Sequence, residues 1–201
     1  MSEPKTLLSM AGAPMDPSKL SDSALVLIDC QNEYVSGVLA LPAVAPALAE
    51  AAKVLARARD AGTPVVHVVH HGRPGGGVFD PDGPSSEIAP QVAAVEGEAQ
   101  VTKALPNAFA GTNPDDILKA TGKKELILVG FMTHMCISAT ARVATDLGYR
   151  VSIVADATAT RDLPGPGGDG VVGAEDLKRV ELAALADRFA IIVKSAAELG
   201  E

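Results

Sequence analysis

The sequence predicts an α/β fold, a three-layer α/β/α sandwich around a doubly wound, six-stranded and mainly parallel sheet. Short continuous apolar runs alternate along the chain with longer helical segments, as in folds built from βαβ units. Runs without polar alternation are typical of strands that are buried on both faces. Because crossovers between parallel strands are right-handed, this alternation favours a doubly wound sheet.

The first half of the chain contains three of the predicted strands, over 24–28, 64–69 and 100–103. The first two are joined by a helix over 43–61, which is rich in Ala and Leu and ends at Gly62. Residues 72–90 hold much of the chain's Gly and Pro and are predicted to form a long loop. Loops of that length within a compact domain are typically functional.

The second half repeats the alternation of strands and helices. Its predicted strands are 125–129, 151–154 and 189–193, and its predicted helices are 113–122, 134–147 and 174–187. In the first of these helices Asn113 is expected to cap the end and Pro114 to take the first position. A second loop rich in Gly and Pro covers 163–170.

Length and composition limit the possible functions. The 201 residues suit one domain, predicted over 21–201 after an N-terminal arm over 1–20. The net charge of −8 argues against a nucleic-acid partner, and no apolar run reaches the roughly 18–20 residues of a membrane span. With only two cysteines, a disulfide framework is not expected, and we predict a reduced, cytoplasmic setting.

In doubly wound folds the ligand binds at the carboxyl ends of the strands. The residues that follow predicted strands are Asp29, His70, His71, Lys103, the segment 130–136 and Asp156. Three of them carry side chains suited to chemistry. Asp29 could act as a base or only cap a turn, and Lys103 could hold an anion or lie in solvent. Cys136 is expected in the first turn of a helix, where the dipole favours a thiolate, although a buried core cysteine fits equally well.

Other residues of the same types favour structural roles. Cys30 follows Asp29 without a helix start of its own, so we predict that it packs in the core. His67, His70 and His71 share one strand and its end, with His70 on the face opposite to the other two. No Asp-x-His element accompanies them, so the sequence predicts no metal site and no cofactor, and assigns His70 or His71 at most to a pocket wall.

Taken together, the segments resemble the isochorismatase-like cysteine hydrolase superfamily, which includes nicotinamidases and N-carbamoylsarcosine amidase. The likeness spans roughly residues 22–195. It is carried by Leu-Val-Leu-Ile-Asp-x-Gln-Asn-x-Tyr at 25–34, by Lys103 with Phe-x-Gly-Thr at 109–112, by 126–149 around Cys136, and by Val-x-Asp-Ala-x-Ala at 154–159. The resemblance implies the strand order 3-2-1-4-5-6 and homo-oligomers, dimers or tetramers.

The resemblance also implies a reaction. The family's catalytic triad falls on Asp29, Lys103 and Cys136, so that Cys136 would attack a carbonyl carbon and form a thioester. Family members carry a cis peptide shortly before the cysteine, here between Phe131 and Met132. The backbone N–H groups of Met132 and Cys136 would then form the oxyanion hole.

The departures from the family pattern concern the substrate. The metal ligands of nicotinamidases are absent, and vinyl-ether-cleaving isochorismatases do not place a nucleophilic cysteine at this position. The sequence therefore favours C–N hydrolysis of a small amide, carbamoyl or ureido compound. A vinyl-ether or ester-like hydrolase and a non-enzymatic binding protein remain as alternatives. The substrate pocket is predicted to include Tyr34, His71, Arg73, Phe79 and Phe109.

Overall fold

A six-stranded parallel sheet organises the computed structural model, which describes residues 3–201. The strands of the chain are β1 (Ser23–Ile28), β2 (Val65–His70), β3 (Ala99–Lys103), β4 (Glu125–Phe131), β5 (Arg150–Ala159), β6 (Leu163–Pro164), β7 (Val171–Val172) and β8 (Ile191–Val193). The sheet has the order β3-β2-β1-β4-β5-β8, and all five neighbouring pairs are parallel. Counted by sheet strands this is 3-2-1-4-5-6, so the predicted topology is confirmed.

Helices cover both faces of the sheet. They are α1 (Leu7–Met10), α2 (Asn32–Ser36), α3 (Val44–Asp60), α4 (Pro114–Ala120), α5 (Ser138–Asp146) and α6 (Ala174–Arg188), with a π-helical turn (Thr133–Ile137) directly before α5. The central strand β1 shows the three layers, because Leu25 and Leu27 pack in the cluster on the α3 side and Val26 and Ile28 in the cluster with α4, α5 and α6. Such two-sided burial produces the continuous apolar runs.

The strand β5 differs most from its prediction. It continues five residues beyond Val154, and its register with β4 shifts between Leu128 and Gly130. Asp156, expected at the strand's end, therefore lies within the strand and is exposed. The charged residue interrupts the apolar run, so the sequence pattern ends too early, and the true end of β5 brings Thr160 and Arg161 to the carboxyl edge.

Smaller differences affect helix ends and loops. Asn113 precedes α4, but its side chain makes no capping hydrogen bond, while Pro114 takes the first helical position as predicted. The loop predicted over 163–170 contains the short antiparallel pair β6–β7. The helices α1 and α2 were not predicted, since each is only four or five residues long.

Residues of the predicted arm lie against the domain. The backbone N–H of Leu7 donates to Asp187 on α6 over 2.8 Å, and that of Ser18 donates to the Ser152 hydroxyl over 2.9 Å. A parallel bridge pairs Lys19 with Gly200. Within residues 3–201, no helix combines the length and apolar character that a membrane crossing requires.

A glycine lets two strands approach closely next to the carboxyl edge. Gly130 has φ +117°, and a Cβ atom at this position would lie 2.0 Å from the carbonyl oxygen of Ile28. Any larger residue would therefore push β4 away from β1. This contact fixes the start of the segment that carries Cys136 relative to the strand that carries Asp29.

Away from that edge, a buried carboxylate joins three parts of the fold. Glu98, just before β3, accepts hydrogen bonds from Arg59 of α3 over 2.7 and 3.0 Å and lies 2.8 Å from Nε2 of His67 in β2. Its side chain is 8% exposed. Burial raises the pKa of Glu98, but the bonds from Arg59, the Val95 N–H and His67 lower it further, to about 2.

We therefore expect Glu98→Ala to lower the free energy of unfolding by about 1–2 kcal/mol, because it leaves the buried His67 without its partner and removes the acceptor of the more exposed Arg59. Since the pKa of Glu98 is lowered in the folded state, its contribution is present at neutral pH and is lost as the pH falls toward 2. Urea denaturation at pH 7 measures the change. The exposed Glu96→Ala should stay within about 0.5 kcal/mol of the parent protein. Equal stability of the two variants would contradict this account.

Candidate active site

The three residues of the predicted triad meet at the carboxyl edge of the sheet. Asp29 follows β1, Lys103 ends β3, and Cys136 lies on the π-helical turn that follows β4. All three are buried, with Asp29 and Lys103 at most 1% exposed. Parallel strands bring these three separate segments together because their carboxyl ends share one edge.

The Lys103 ammonium is the centre of this cluster. Its Nζ lies 2.7 Å from Oδ2 of Asp29 and 3.4 Å from Sγ of Cys136. It also lies 3.2 Å from Nδ1 of His70. An ammonium has three N–H donors and no acceptor, so each donor has a partner. This arrangement lets a charged lysine remain fully buried.

Asp29 combines a positive φ angle with a carboxylate oxygen that lacks a hydrogen-bond partner in the described chain. Its φ is +51°, a conformation that few residues other than glycine adopt. Oδ1 is buried and has no hydrogen-bond partner within residues 3–201. Burial raises the pKa of Asp29 to about 6, although the charge of Lys103 and its hydrogen bond act in the opposite direction. A carboxylate of this kind is suited to accept and return a proton near neutral pH.

The Cys136 thiol differs from the expectation for a helix start. Burial raises its pKa to about 12; the charge of Asp29 adds to the effect, and that of Lys103 opposes it. Burial therefore acts against the thiolate that a helix start would favour, and of the two alternatives left open by the sequence the resting thiol fits the buried cysteine. The thiol keeps its proton until a base removes it, and Asp29 is the carboxylate beside it.

The segment between β4 and Cys136 has the backbone features named for the oxyanion hole. The peptide bond between Phe131 and Met132 is cis. The Met132 N–H donates no hydrogen bond to another residue in the described part of the chain, whereas its carbonyl accepts from Met135 and Ile137. The Thr133 hydroxyl donates to the Ala159 carbonyl over 3.1 Å and ties this segment to β5.

His70 is the functional candidate that the sequence pattern assigned least definitely. It ends β2, and its backbone is held from both sides by the buried Gln31 side chain. Gln31 also donates to Ser86 in the long loop. Burial lowers the pKa of His70 to about 4, with the Lys103 charge acting in the same direction. The signal that could have found it is the strand pairing, in which His70 is the register partner of Lys103.

Two of the predicted pocket residues form an aromatic wall beside the triad. The Tyr34 ring meets Phe79 and Phe131 edge to face, with centroids 5.2 and 5.7 Å apart. Phe79 also packs edge to face on His70 at 4.9 Å. Burial raises the pKa of Tyr34, and the charges of Asp29 and Cys136 add to this, which indicates how close the ring lies to the triad.

The other predicted pocket residues lie elsewhere or make little contact. The Phe109 ring stacks on Tyr149 with centroids 6.5 Å apart, and Tyr149 directly precedes β5 at the amino edge of the sheet. The predicted position of Phe109 at the carboxyl ends of the strands is wrong, because the segment after β3 turns back along α5. There the Thr140 hydroxyl accepts a hydrogen bond from the Ala108 N–H. His71 is half-buried and Arg73 is exposed in the loop after β2.

Arg161 is a residue near the candidate site that the sequence interpretation missed. It follows β5, and its Nε is buried without a hydrogen-bond partner in the described chain. Its charge lowers the pKa of Tyr34 and, after burial, that of His134, two residues before Cys136. Arg161 thus adds an unpaired positive group to the surroundings of the triad.

A separate question is whether these residues could hold a metal ion. Within residues 3–201, no cluster of three or more His, Cys, Asp or Glu side chains has the arrangement of a metal site. The histidines near the edge have other partners, since His70 contacts Lys103 and His134 contacts the Thr160 hydroxyl. The prediction that no cofactor takes part remains a prediction.

Comparison with known proteins agrees with the fold and the motifs. Residues 23–197 match the Isochorismatase domain family. The chain belongs to the isochorismatase family. An isochorismatase from Pseudomonas putida KT2440, of known crystal structure, is 42% identical and superimposes with a TM-score of 0.93, covering 98% of this chain and 100% of that one. N-carbamoylsarcosine amidase from Thermoplasma acidophilum is 27% identical with a TM-score of 0.74, covering 90% and 99%.

Several relatives of this family member have functional names. The secreted isochorismatase effector Isc1 of Verticillium dahliae is 40% identical over 93% of this chain and 95% of its own. Streptothricin hydrolase of Streptomyces noursei is 39% identical over 87% of this chain but 63% of its own length. Maleamate amidohydrolase of Pseudomonas putida is 32% identical over 69% and 72%. The predicted hydrolase family is confirmed, while the cytoplasmic location stays a prediction, because one relative is a secreted protein.

The pKa of Asp29 leads to a test that needs no substrate. We expect the rate at which iodoacetamide alkylates Cys136 to fall about tenfold per pH unit below pH 6, because a protonated Asp29 cannot take the thiol proton. Asp29→Asn should lower the rate and remove this acid limb. Peptide mass spectrometry separates Cys136 from the buried Cys30, which serves as internal control. A rate in the parent protein that is constant from pH 5 to 8 would contradict the assignment.

Proposed function

We propose that this protein is a cysteine amidohydrolase that cleaves a non-peptide C–N bond of a small amide, carbamoyl or ureido compound. The observation that carries the proposal is the buried cluster in which Lys103 contacts both Asp29 and Cys136. A thiol, a carboxylate of raised pKa and a fixed positive charge are the groups that amide cleavage through a thioester needs. The relatives named maleamate amidohydrolase and N-carbamoylsarcosine amidase support this choice.

The first half of the proposed reaction forms a covalent intermediate. Asp29 takes the proton of the Cys136 thiol, and the sulfur attacks the carbonyl carbon of the substrate. The negative charge that develops on the carbonyl oxygen is stabilised by the backbone N–H groups of Met132 and Cys136. When the C–N bond breaks, the protonated Asp29 gives its proton to the leaving nitrogen, and ammonia or an amine departs.

The second half regenerates the enzyme. Asp29 is again ionised and takes a proton from a water molecule, which attacks the thioester carbon. The acid leaves as the C–S bond breaks, and the proton on Asp29 returns to the Cys136 sulfur. Throughout the cycle the Lys103 ammonium remains charged and offsets whichever of its two anionic partners carries the negative charge.

The nucleophile is tested by substitution. We expect Cys136→Ser to lower kcat at least about 1000-fold on an amide that the parent protein hydrolyses, because a serine hydroxyl beside this base is far less reactive than a thiol. Ammonia release measures the rate. Cys30→Ser, the matched change at the other buried cysteine, should retain activity within about twofold. Full activity of Cys136→Ser would reject the proposal.

Arg161 supports a narrower statement about the substrate. An arginine whose Nε is buried and unpartnered is suited to a carboxylate, with which it forms two parallel hydrogen bonds. We therefore propose that the preferred amides also carry a carboxylate, the remaining half of a small diacid or an amino acid derivative. Tyr34 and the aromatic rings beside it would border the carbon chain between the two groups.

For such a substrate we expect Arg161→Met to raise KM at least about tenfold and to change kcat less, because the interaction holds the substrate rather than the reacting bond. The comparison substrate is the neutral analogue in which the carboxylate is replaced by a primary amide. The parent protein should prefer the carboxylate, and the variant should lose the preference. Equal preference in both proteins would overturn the assignment.

The second candidate function is hydrolysis of a vinyl ether. It is favoured by the names of two similar proteins, the Verticillium effector and the Pseudomonas putida structure, both called isochorismatases. The two functions differ in their products, since only C–N cleavage releases ammonia or an amine. A turnover that consumes a vinyl ether without releasing nitrogen, and that survives Cys136→Ser, would replace the first proposal with the second.

A further inference from the structure

Lys103 contacts Asp29 although the two residues do not lie on neighbouring strands. Lys103 lies on β3, whereas Asp29 follows β1, and β2 runs between them. Neighbouring strands are about 4.8 Å apart, so β3 and β1 are separated by about 10 Å, and the Lys103 and Asp29 side chains together must bridge this distance across the end of β2. The residue at the end of β2 is His70, the register partner of Lys103.

Hydrogen bonding at the far end of the lysine is complete only with this histidine. Asp29 and Cys136 take two of the three N–H donors of the ammonium, and Nδ1 of His70 takes the third at 3.2 Å. Because an ammonium can only donate, Nδ1 must be unprotonated, and the ring proton lies on Nε2. Without His70 one N–H of a fully buried ammonium would lack a partner.

The surroundings of His70 fix both its backbone and its ring. Oε1 of Gln31 accepts from the His70 N–H over 2.7 Å, and Nε2 of Gln31 donates to the His70 carbonyl over 2.9 Å. The ring packs against Phe79. Phe79 has φ +50°, and its N–H donates to the buried Glu33 carboxylate over 3.2 Å. The loop after β2 is thus held where it supports the imidazole.

We propose that His70 is a positioning residue of the amide hydrolysis, accepting the third N–H of Lys103 at Nδ1 and thereby holding the ammonium between the Asp29 carboxylate and the Cys136 thiol. The expected effect of His70 on turnover rests on the proposed function. The effect of His70 on the position of Lys103 does not, because the lysine contacts exist before any substrate binds. Burial and the Lys103 charge keep the imidazole neutral at working pH.

The test compares two variants of His70. His70→Leu removes the acceptor, and we expect kcat to fall about tenfold to thirtyfold with KM changed less than about threefold. We also expect the acid limb of the pH profile of kcat to move above pH 6, because a loosened Lys103 lowers the pKa of Asp29 less. His70→Asn places an amide oxygen near the position of Nδ1. It should restore kcat to within about fivefold of the parent value and return the acid limb to near pH 6. Thr102→Val, on the exposed side of the same strand as Lys103, is the matched control.

Iodoacetamide alkylation of Cys136 separates this inference from the proposed function, since it needs no substrate. We expect the alkylation rate to fall in His70→Leu and to recover in His70→Asn. A Cys136→Ser protein with full amidase activity rejects the proposed function, whatever His70 does. A His70→Leu protein with parental kcat and alkylation rate rejects the role of His70 alone, and so does a His70→Asn protein that is as impaired as His70→Leu.

A measurement on the unsubstituted protein covers the case in which His70→Leu fails to fold. Nitrogen-15 NMR of the histidine rings reports which nitrogen carries the proton. We expect Nδ1 of His70 to be unprotonated and Nε2 protonated from pH 5 to 8, with assignment by the loss of the signal in His70→Asn. An Nδ1–H tautomer or an imidazolium at pH 7 would overturn the proposal, because neither can accept from Lys103.

Discussion

A lysine ammonium that is closed off from water must have an acceptor for every N–H, and this requirement organises the carboxyl edge of the sheet. Lys103 meets it with a carboxylate, a thiol and an imidazole, each from a different strand end. Burial of a charge without such partners would cost many kcal/mol. The same burial raises the pKa values of the two acidic partners, Asp29 and Cys136, while the Lys103 charge opposes the effect at both.

Much of the fold could be predicted because its strands are buried on both faces. The runs 24–28 and 125–129 are apolar without interruption, and no tertiary information is needed to recognise them. The end of β5 could not be recognised in this way. Its second half follows an exposed Asp156 and a register shift against β4, so it is held by pairing with a neighbour rather than by its own pattern.

The residues of the candidate site also divide into those that the sequence pattern locates and those that only tertiary contacts locate. Asp29 directly follows the apolar strand β1 and Lys103 ends the more polar strand β3, so the rule for parallel sheets alone brings them to one edge. Phe109 could not be located by that rule, because the path of its loop depends on the Thr140 hydroxyl on a distant helix. Arg161 was missed because the predicted strand ends five residues before the observed end of β5, which placed the carboxyl edge near Asp156.

The edge position of β3 has a consequence for the dynamics of the site. Lys103 is the last residue of a strand that pairs on one side only, with β2. Edge strands open locally at a lower free energy than central ones, and hydrogen exchange reveals such opening amide by amide. Each excursion of β3 would withdraw the ammonium from Asp29 and Cys136 while the rest of the sheet stays folded. A complete triad thus requires that one short peripheral strand stays docked on β2.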